Sequence, residues 1–285
     1  MKLGVLASGR LGLQILRELY SIYKIQFVAT DSNSYEIISF ANGNNISLFK
    51  GNPRNGRAFD ILGDSCIDVL VSVNYLFLIE QDLISLPARI AINIHGSLLP
   101  KYRGRTPHVW AIINGEKESG ITVHEITKGC DEGGILEQLI IPIDANMTGG
   151  ELLNVYQNNY GSLLIKALKG IEENGTRFIV QNEKEATYYG KRNPEDGKIN
   201  WNWSKERILN WVRAQAYPYP GAFTVYNNSK VIIDKVINSN QGYHFELKNG
   251  TIISETPIIV KTSNGALELN VIRKDIKVEI NQVFE

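Results

Sequence analysis

Short apolar runs alternate with helical segments through the first half of the chain, and this alternation limits the folds open to it. Residues 3–7, 25–30, 67–73 and 90–94 each have the length and composition of a buried strand. Between the first two, Leu13, Leu16, Leu19, Tyr20 and Tyr23 recur at helical spacing. Strands alternating with helices predict an α/β fold, a Rossmann-like parallel sheet with helices on both faces and right-handed crossovers. Residues 119–126 and 135–143 predict two further strands. Residues 151–174 predict one long amphipathic helix, its apolar face holding Leu152, Val155, Tyr156, Leu163, Leu164, Ala167, Leu168 and Ile171.

The pattern changes after about residue 185. Residues 204–213 read as a short helix with Ser204 as its N-cap. Beyond Tyr217-Pro218-Tyr219-Pro220-Gly221, apolar runs are punctuated by Asn227-Asn228, Asn249-Gly250 and Asn264-Gly265, the turn chemistry of β-hairpins. The expected organisation is a catalytic domain over residues 1–185, then a linker helix and a smaller antiparallel β-rich C-terminal domain over residues 186–285.

Charge excludes some partners. The 285 residues carry 30 Lys+Arg and 30 Asp+Glu, so no global field favours nucleic acid or an anionic membrane. No apolar stretch reaches membrane-spanning length. The N-terminal apolar run is too short for a signal peptide and leads into a polar turn. The two cysteines, Cys66 and Cys130, form neither a disulfide framework nor a metal-ligand spacing, and the expected setting is the cytoplasm.

Three segments carry chemistry. The turn Ser8-Gly9-Arg10-Leu11-Gly12 between strand and helix suits a phosphate or pyrophosphate, and Asp31 after the second strand suits a ribose. This allows an NAD-dependent dehydrogenase, although the first glycine of G-x-G-x-x-G is missing; a plain tight turn is the rival reading. Asn93 and His95 lie two residues apart on a strand and share a face. A neutral imidazole can accept a proton, and the Asn93 amide can donate to a developing oxyanion. They are followed by Gly96-Ser97-Leu98-Leu99-Pro100 and Tyr102-Arg103-Gly104. The loop Gly129-Cys130-Asp131-Glu132-Gly133-Gly134 supplies a carboxylate that could orient His95 if the fold joins the two loops.

Together with Gly120-Ile121-Thr122-Val123-His124, these motifs resemble the folate-dependent formyltransferase family, over residues 1 to about 225. The resemblance implies a catalytic trio of Asn93, His95 and Asp131, no metal, and N10-formyltetrahydrofolate as formyl donor. It places the pterin pocket at Asn74, Tyr75, Leu76, Phe77 and Leu78, with Gly129 and Gly133 in the opposite loop. One departure is Glu132, where relatives often have threonine.

The family formylates different amines. Methionyl-tRNA formyltransferases have a β-rich second domain expected to be basic, whereas residues 222–285 hold seven Lys/Arg against a similar number of acids. Glycinamide ribonucleotide formyltransferases are shorter. Arg105-Thr106-Pro107-His108-Val109-Trp110 and Arg192-Asn193-Pro194-Glu195-Asp196-Gly197 look most like the sugar N-formyltransferases. The implied acceptor is a nucleotide-linked deoxyamino sugar, in glycan or lipopolysaccharide biosynthesis, with no nucleic-acid or membrane partner and a homodimer as the assembly. Its expected contacts are Ser8, Gly9, Arg10, Arg103, Arg105, Thr106, His108, Trp110, Tyr217 and Tyr219, with internal bracing of the loop as the rival reading for Arg103 and Arg105 and core packing for Trp110, Tyr217 and Tyr219. A methionyl-tRNA formyltransferase remains the alternative within the family, and a nonenzymatic sugar- or folate-binding module a third reading.

Overall fold

The computed structural model describes residues 1–285. The chain packs as two compact units. Residues 1–104, 120–141 and 155–188 form the first; residues 105–119, 142–154 and 189–285 form the second.

The first unit is built on one sheet. In chain order the elements are β1 (Lys2–Ala7), α1 (Gly9–Tyr20), β2 (Lys24–Thr30), α2 (Tyr35–Gly43), β3 (Ser47–Lys50), α3 (Phe59–Leu62), β4 (Val69–Val73), α4 (Gln81–Ile84) and β5 (Ile90–His95). After β6 (Arg103–Gly104) and α5 (Pro107–Ile113) come β7 (Glu118–Glu125), β8 (Ile135–Pro142), α6 (Gly149–Asn174) and β9 (Tyr188–Tyr189). The sheet order is β3-β2-β1-β4-β5-β7-β8. Its first five strands pair in parallel, as the alternating sequence predicts.

The next strand departs from that expectation, because β7 runs antiparallel to β5. A mixed edge of this kind is common on an otherwise parallel sheet. Here it has a chemical consequence: Asn93 lies opposite His124, and His95 opposite Thr122. Short β3 was not visible in the sequence, since Ser47-Leu48-Phe49-Lys50 carries only one fully apolar pair.

The sheet core is closely packed. Leu3, Leu6, Phe27, Val28, Val69, Leu70 and Ile92 are fully buried. The face of α1 toward the sheet includes Leu13, Leu16 and Leu19 as expected, with Ile15 in addition, while Tyr20 stays 42% exposed. Of α6, Tyr156, Leu163, Leu164, Ala167, Leu168 and Ile171 are buried in this unit, and Tyr160 joins them. Gly96, just past β5, faces the Tyr156 ring and the Tyr160 hydroxyl, so a side chain there would collide with α6.

In the second unit, α7 (Lys205–Gln215) starts at the predicted N-cap, where Ser204 Oγ accepts from the Arg207 N–H. Strands β10 (Ala222–Tyr226), β11 (Ser229–Ser239), β12 (Ile252–Glu255), β13 (Ile258–Thr262) and β14 (Gly265–Ile272) form an antiparallel sheet in the order β10-β11-β14-β13-β12. Asn227 and Asn228 make the predicted two-residue turn, both with left-handed φ (47° and 59°). The other two turns differ. Thr262 pairs with Gly265, so the tip is Ser263-Asn264 rather than Asn264-Gly265. The Asn264 side chain is engaged elsewhere, accepting from the Lys205 N–H and donating to Glu206 at the start of α7. Asn249-Gly250 joins no hairpin; it is the bend that leads into β12. No helix is long and apolar enough to cross a membrane.

Gly4 and Phe27 test the sheet core. A Cβ on Gly4 would overlap the Phe27 ring of the neighbouring strand. Gly4→Ala is expected to destabilise by about 1–3 kcal/mol through overpacking. Phe27→Ala is expected to cost about 3–5 kcal/mol by leaving a cavity. In the double variant the new methyl enters that cavity, so urea denaturation should show less than the sum of the two losses.

Candidate active site

Three of the expected groups leave the same edge of the sheet. Ser8, Gly9 and Arg10 follow β1, Asn74 to Leu78 follow β4, and Asn93 and His95 end β5. These strands are parallel neighbours in the order β1-β4-β5, so all three groups stand at their carboxyl ends, where open α/β sheets bind ligands.

Asn93 and His95 meet Asp131 there. The Asp131 carboxylate lies 3.6 Å from His95 Nδ1 and 3.5 Å from His124 Nε2. It also accepts the Gly104 N–H at 2.9 Å. Asp131 is a non-glycine residue with left-handed φ (55°), a conformation that the surrounding structure must hold. Burial alone would push its carboxyl pKa up. The His124 hydrogen bond, the two neighbouring imidazoles and the Gly104 N–H outweigh this and hold it well below the usual carboxylate range.

His95 is 8% exposed. Burial lowers its pKa below the ordinary imidazole value, against the opposing pull of Asp131 and the Tyr102 carbonyl; His124 adds to the lowering. Both ring nitrogens face acceptors: Nδ1 the Asp131 carboxylate, and Nε2 the Tyr102 carbonyl at 2.9 Å. Burial keeps the ring neutral at rest, and the two acceptors receive its N–H groups once it gains a proton.

His124 is a site residue that the sequence did not single out. Its Nδ1 lies 2.7 Å from the Glu125 carbonyl. Its Nε2 stands between Asn93 Nδ2 at 3.2 Å and the Asp131 carboxylate at 3.5 Å. The Asn93 amide is thereby oriented, with its second N–H left for a ligand. The alternation of Gly120-Ile121-Thr122-Val123-His124 implies a strand. Only the antiparallel register reveals that His124 faces Asn93.

The expected folate segment is an exposed loop with alternating environments. Tyr75 and Phe77 are half-buried and meet edge to face, with ring centroids 5.5 Å apart. Leu76 and Leu78 point outward, 52% and 61% exposed. Asn74 has left-handed φ and donates from Nδ2 to the Ser8 carbonyl, tying this loop to the turn after β1. Gly133 packs against the Glu125 backbone, where a Cβ would clash. Gly129 faces the Glu132 carboxylate, and Glu132 accepts from the Tyr188 hydroxyl.

The turn after β1 lines a cavity of about 400 Å³ with Asp31, Ser34, Tyr35, Asn74 and Leu76. Gly9 has φ 66° and donates its N–H to Ser34 Oγ, and Ser34 Oγ donates to Asp31 at 2.5 Å. The Asp31 carboxylate also accepts the Asn33 N–H. Asp31 is buried and spent on this turn, which leaves it unsuited to a ribose and removes the main support for the dehydrogenase reading. Arg10 is exposed at the mouth.

Several expected acceptor contacts turn out to be internal braces. Arg103 is fully buried; its guanidinium bonds Gln181, Glu183 and Tyr188, so it is not available to a pyrophosphate. His108 Nε2 lies 2.6 Å from the Tyr219 hydroxyl. Burial pulls His108 down to about 4 and pushes Tyr219 up to about 12, so both stay neutral and neither presents its polar atom to a ligand. Trp110 donates from its indole N–H to the Gly190 carbonyl and packs against Tyr189 and the Arg192 guanidinium, each 4.9 Å away. Arg192 in turn lies 4.5 Å from the Trp211 ring. This stack braces residues 189–192 against α5 and α7 rather than holding a base.

Arg105 and Tyr217 remain exposed, Tyr217 at 77%. Thr106 has left-handed φ (50°), unusual for a β-branched residue, and its buried hydroxyl has no hydrogen-bond partner.

The formyl transferase model matches residues 52–168, and the model of the formyl transferase C-terminal domain matches residues 191–283. The bifunctional polymyxin resistance protein ArnA of Wigglesworthia glossinidia brevipalpis is 35% identical over 272 residues, 92% of this chain and 40% of that protein. The chain therefore spans about two fifths of the length of that curated relative. WlaRD, a sugar 3N-formyl transferase solved in the presence of dTDP and 5-N-formyl-THF, is 25% identical with a TM-score of 0.72, covering 97% of this chain and 99% of that one. The N-formyltransferase of Helicobacter canadensis, in complex with folinic acid and dTDP-3-aminofucose, shares the fold at 22% identity and a TM-score of 0.72, over 94% of this chain and 99% of that one. With both domain models matched and the Asn93–His95–Asp131 cluster assembled at the sheet edge, the chain belongs to the formyl transferase family.

Proposed function

We propose that this chain moves a formyl group from N10-formyltetrahydrofolate to the amino group of a nucleotide-linked deoxyamino sugar. The observation that carries the reading is the cluster of Asn93, His95 and Asp131, with one free amide N–H beside a neutral imidazole and an ionised carboxylate. Acyl transfer to an amine needs these two functions, an oxyanion donor and a proton acceptor. The similarity to WlaRD supports the choice of a sugar acceptor, and that protein was solved with a folate and dTDP.

In this reading the neutral amine attacks the formyl carbon and a tetrahedral intermediate forms. Asn93 donates its remaining amide N–H to the oxyanion. His95 takes the amine proton, and the imidazolium is held between Asp131 and the Tyr102 carbonyl. The C–N bond to the folate nitrogen then breaks, that nitrogen is protonated, and the formamide leaves. The folate lies along the exposed Leu76 and Leu78 edge, near Gly129 and Gly133. Ser8, Gly9 and Arg10 meet the nucleotide. The assembly is a cytoplasmic homodimer.

Mass spectrometry of nucleotide amino sugars incubated with the protein and the folate donor should show a gain of one formyl group on a sugar. Formylation of Met-tRNA alone would replace the acceptor, and no transfer to any amine would remove the reading. Asn93→Ala should lose about 100- to 1000-fold in kcat. His95→Ala should lose about 100- to 10,000-fold.

The pH profile has a defined sign. His95 must be neutral to accept the proton, and its pKa lies below the ordinary value, so the acid limb of kcat/KM should have its midpoint below about 6.5. Asp131→Asn removes the charge that raises His95. Residual activity in that variant should therefore fall off at a still lower pH. An acid limb that moves upward would contradict the assignment.

A further inference from the structure

Gln181 lies outside the motifs read from the sequence, yet it is only 6% exposed. It follows α6 by several residues and reaches the Asp131 loop. Its Nε2 donates to two carbonyls, Asp131 at 2.8 Å and Gly133 at 2.7 Å. Its Oε1 accepts from Arg103 twice, from Nε at 3.2 Å and Nη2 at 2.8 Å. The guanidinium is a donor only, which settles the orientation of the amide. Every hydrogen-bonding position on the NH2 group is used on the loop.

We propose that Gln181 is the positioning residue that sets the Asp131 carboxylate against His95. Asp131 occupies a left-handed conformation that a side-chain-bearing residue adopts only when held. Two supports hold it. The Gly104 N–H grips the carboxylate, and the Gln181 amide grips the backbone on both sides of Glu132. Arg103 and Gly104 are adjacent, and Arg103 is anchored by Glu183 and Tyr188. Both supports therefore trace back to two adjacent residues, Arg103 and Gly104. Gln181 touches no reacting atom; it acts through Asp131.

Two substitutions separate positioning from simple bracing. Gln181→Met removes the donors and the acceptor. Gln181→Glu keeps an acceptor for Arg103 but sets carboxylate oxygens against the two carbonyls. The first readout is the NMR titration of His95, which needs no substrate. The groups facing that ring are Asp131, His124 and the Tyr102 carbonyl. With Asp131 displaced, the His95 midpoint in Gln181→Met should fall to lower pH; an unchanged midpoint would overturn the proposal.

The second readout rests on the formyl-transfer reading. Both variants should lose at least about tenfold in kcat, with KM for donor and acceptor nearly unchanged. In an Asp131→Asn background, Gln181→Glu should add little further loss. Wild-type kcat in Gln181→Glu would show that the residue only braces Arg103, and would decide the matter even if Gln181→Met failed to fold. If the wild-type protein transfers no formyl group, the titration still judges Gln181 by itself.

Discussion

The site depends on keeping one carboxylate charged away from bulk water. Asp131 has a side-chain exposure of 15%, and a buried anion is tolerated only when its oxygens are satisfied. Two imidazoles and a backbone N–H do this, and each comes from a different part of the chain: His95 from β5, His124 from β7 and Gly104 from β6. Removing any one leaves the charge under-satisfied. The parallel sheet with one antiparallel neighbour is what brings these segments together.

The resulting proton distribution suits transfer to an amine. At neutral pH Asp131 is ionised and His95 is neutral, because hydrogen bonds and neighbouring charges outweigh burial at Asp131, whereas burial outweighs the pull of Asp131 and the Tyr102 carbonyl at His95. Attack by an amine creates a positive nitrogen and a negative oxygen. Moving the proton to His95 places the new positive charge beside an existing negative one. The oxyanion is left to the Asn93 amide, whose direction His124 fixes. No new isolated charge is buried at any stage, which is the condition for such chemistry in a low-dielectric site.

Much of this was legible in the residues and some was not. The period of two in Asn93 and His95 gave their common face, and the strand–helix alternation gave the parallel sheet. Asp131 could be linked to His95 only through family resemblance, because nothing local in a Gly-rich loop says which strand it approaches. His124 was hidden by register: alternation fixes which residues share a face, but not what lies across the ladder. Arg103 was misread for a related reason. A guanidinium in an exposed-looking loop resembles an anion site, and its partner Glu183 lies eighty residues further along the chain.

The reassignment of Arg103, His108, Trp110 and Tyr219 narrows how an acceptor could be recognised. A guanidinium with all its donors committed cannot reorganise toward a pyrophosphate without giving up its bonds to Gln181, Glu183 and Tyr188. An indole already packed on Tyr189 and Arg192 would have to give up those contacts to stack on a base. Arg10 and Arg105, by contrast, are exposed. Flexible surface arginines bind phosphate with less preorganisation than buried ones, but they tolerate variation in what the phosphate carries. In the proposed reading, discrimination among sugars then falls to fixed polar groups rather than to these arginines. A site built to pair one hydroxyl or amine with a fixed polar partner rejects an analogue that lacks it far more strongly than an apolar pocket can.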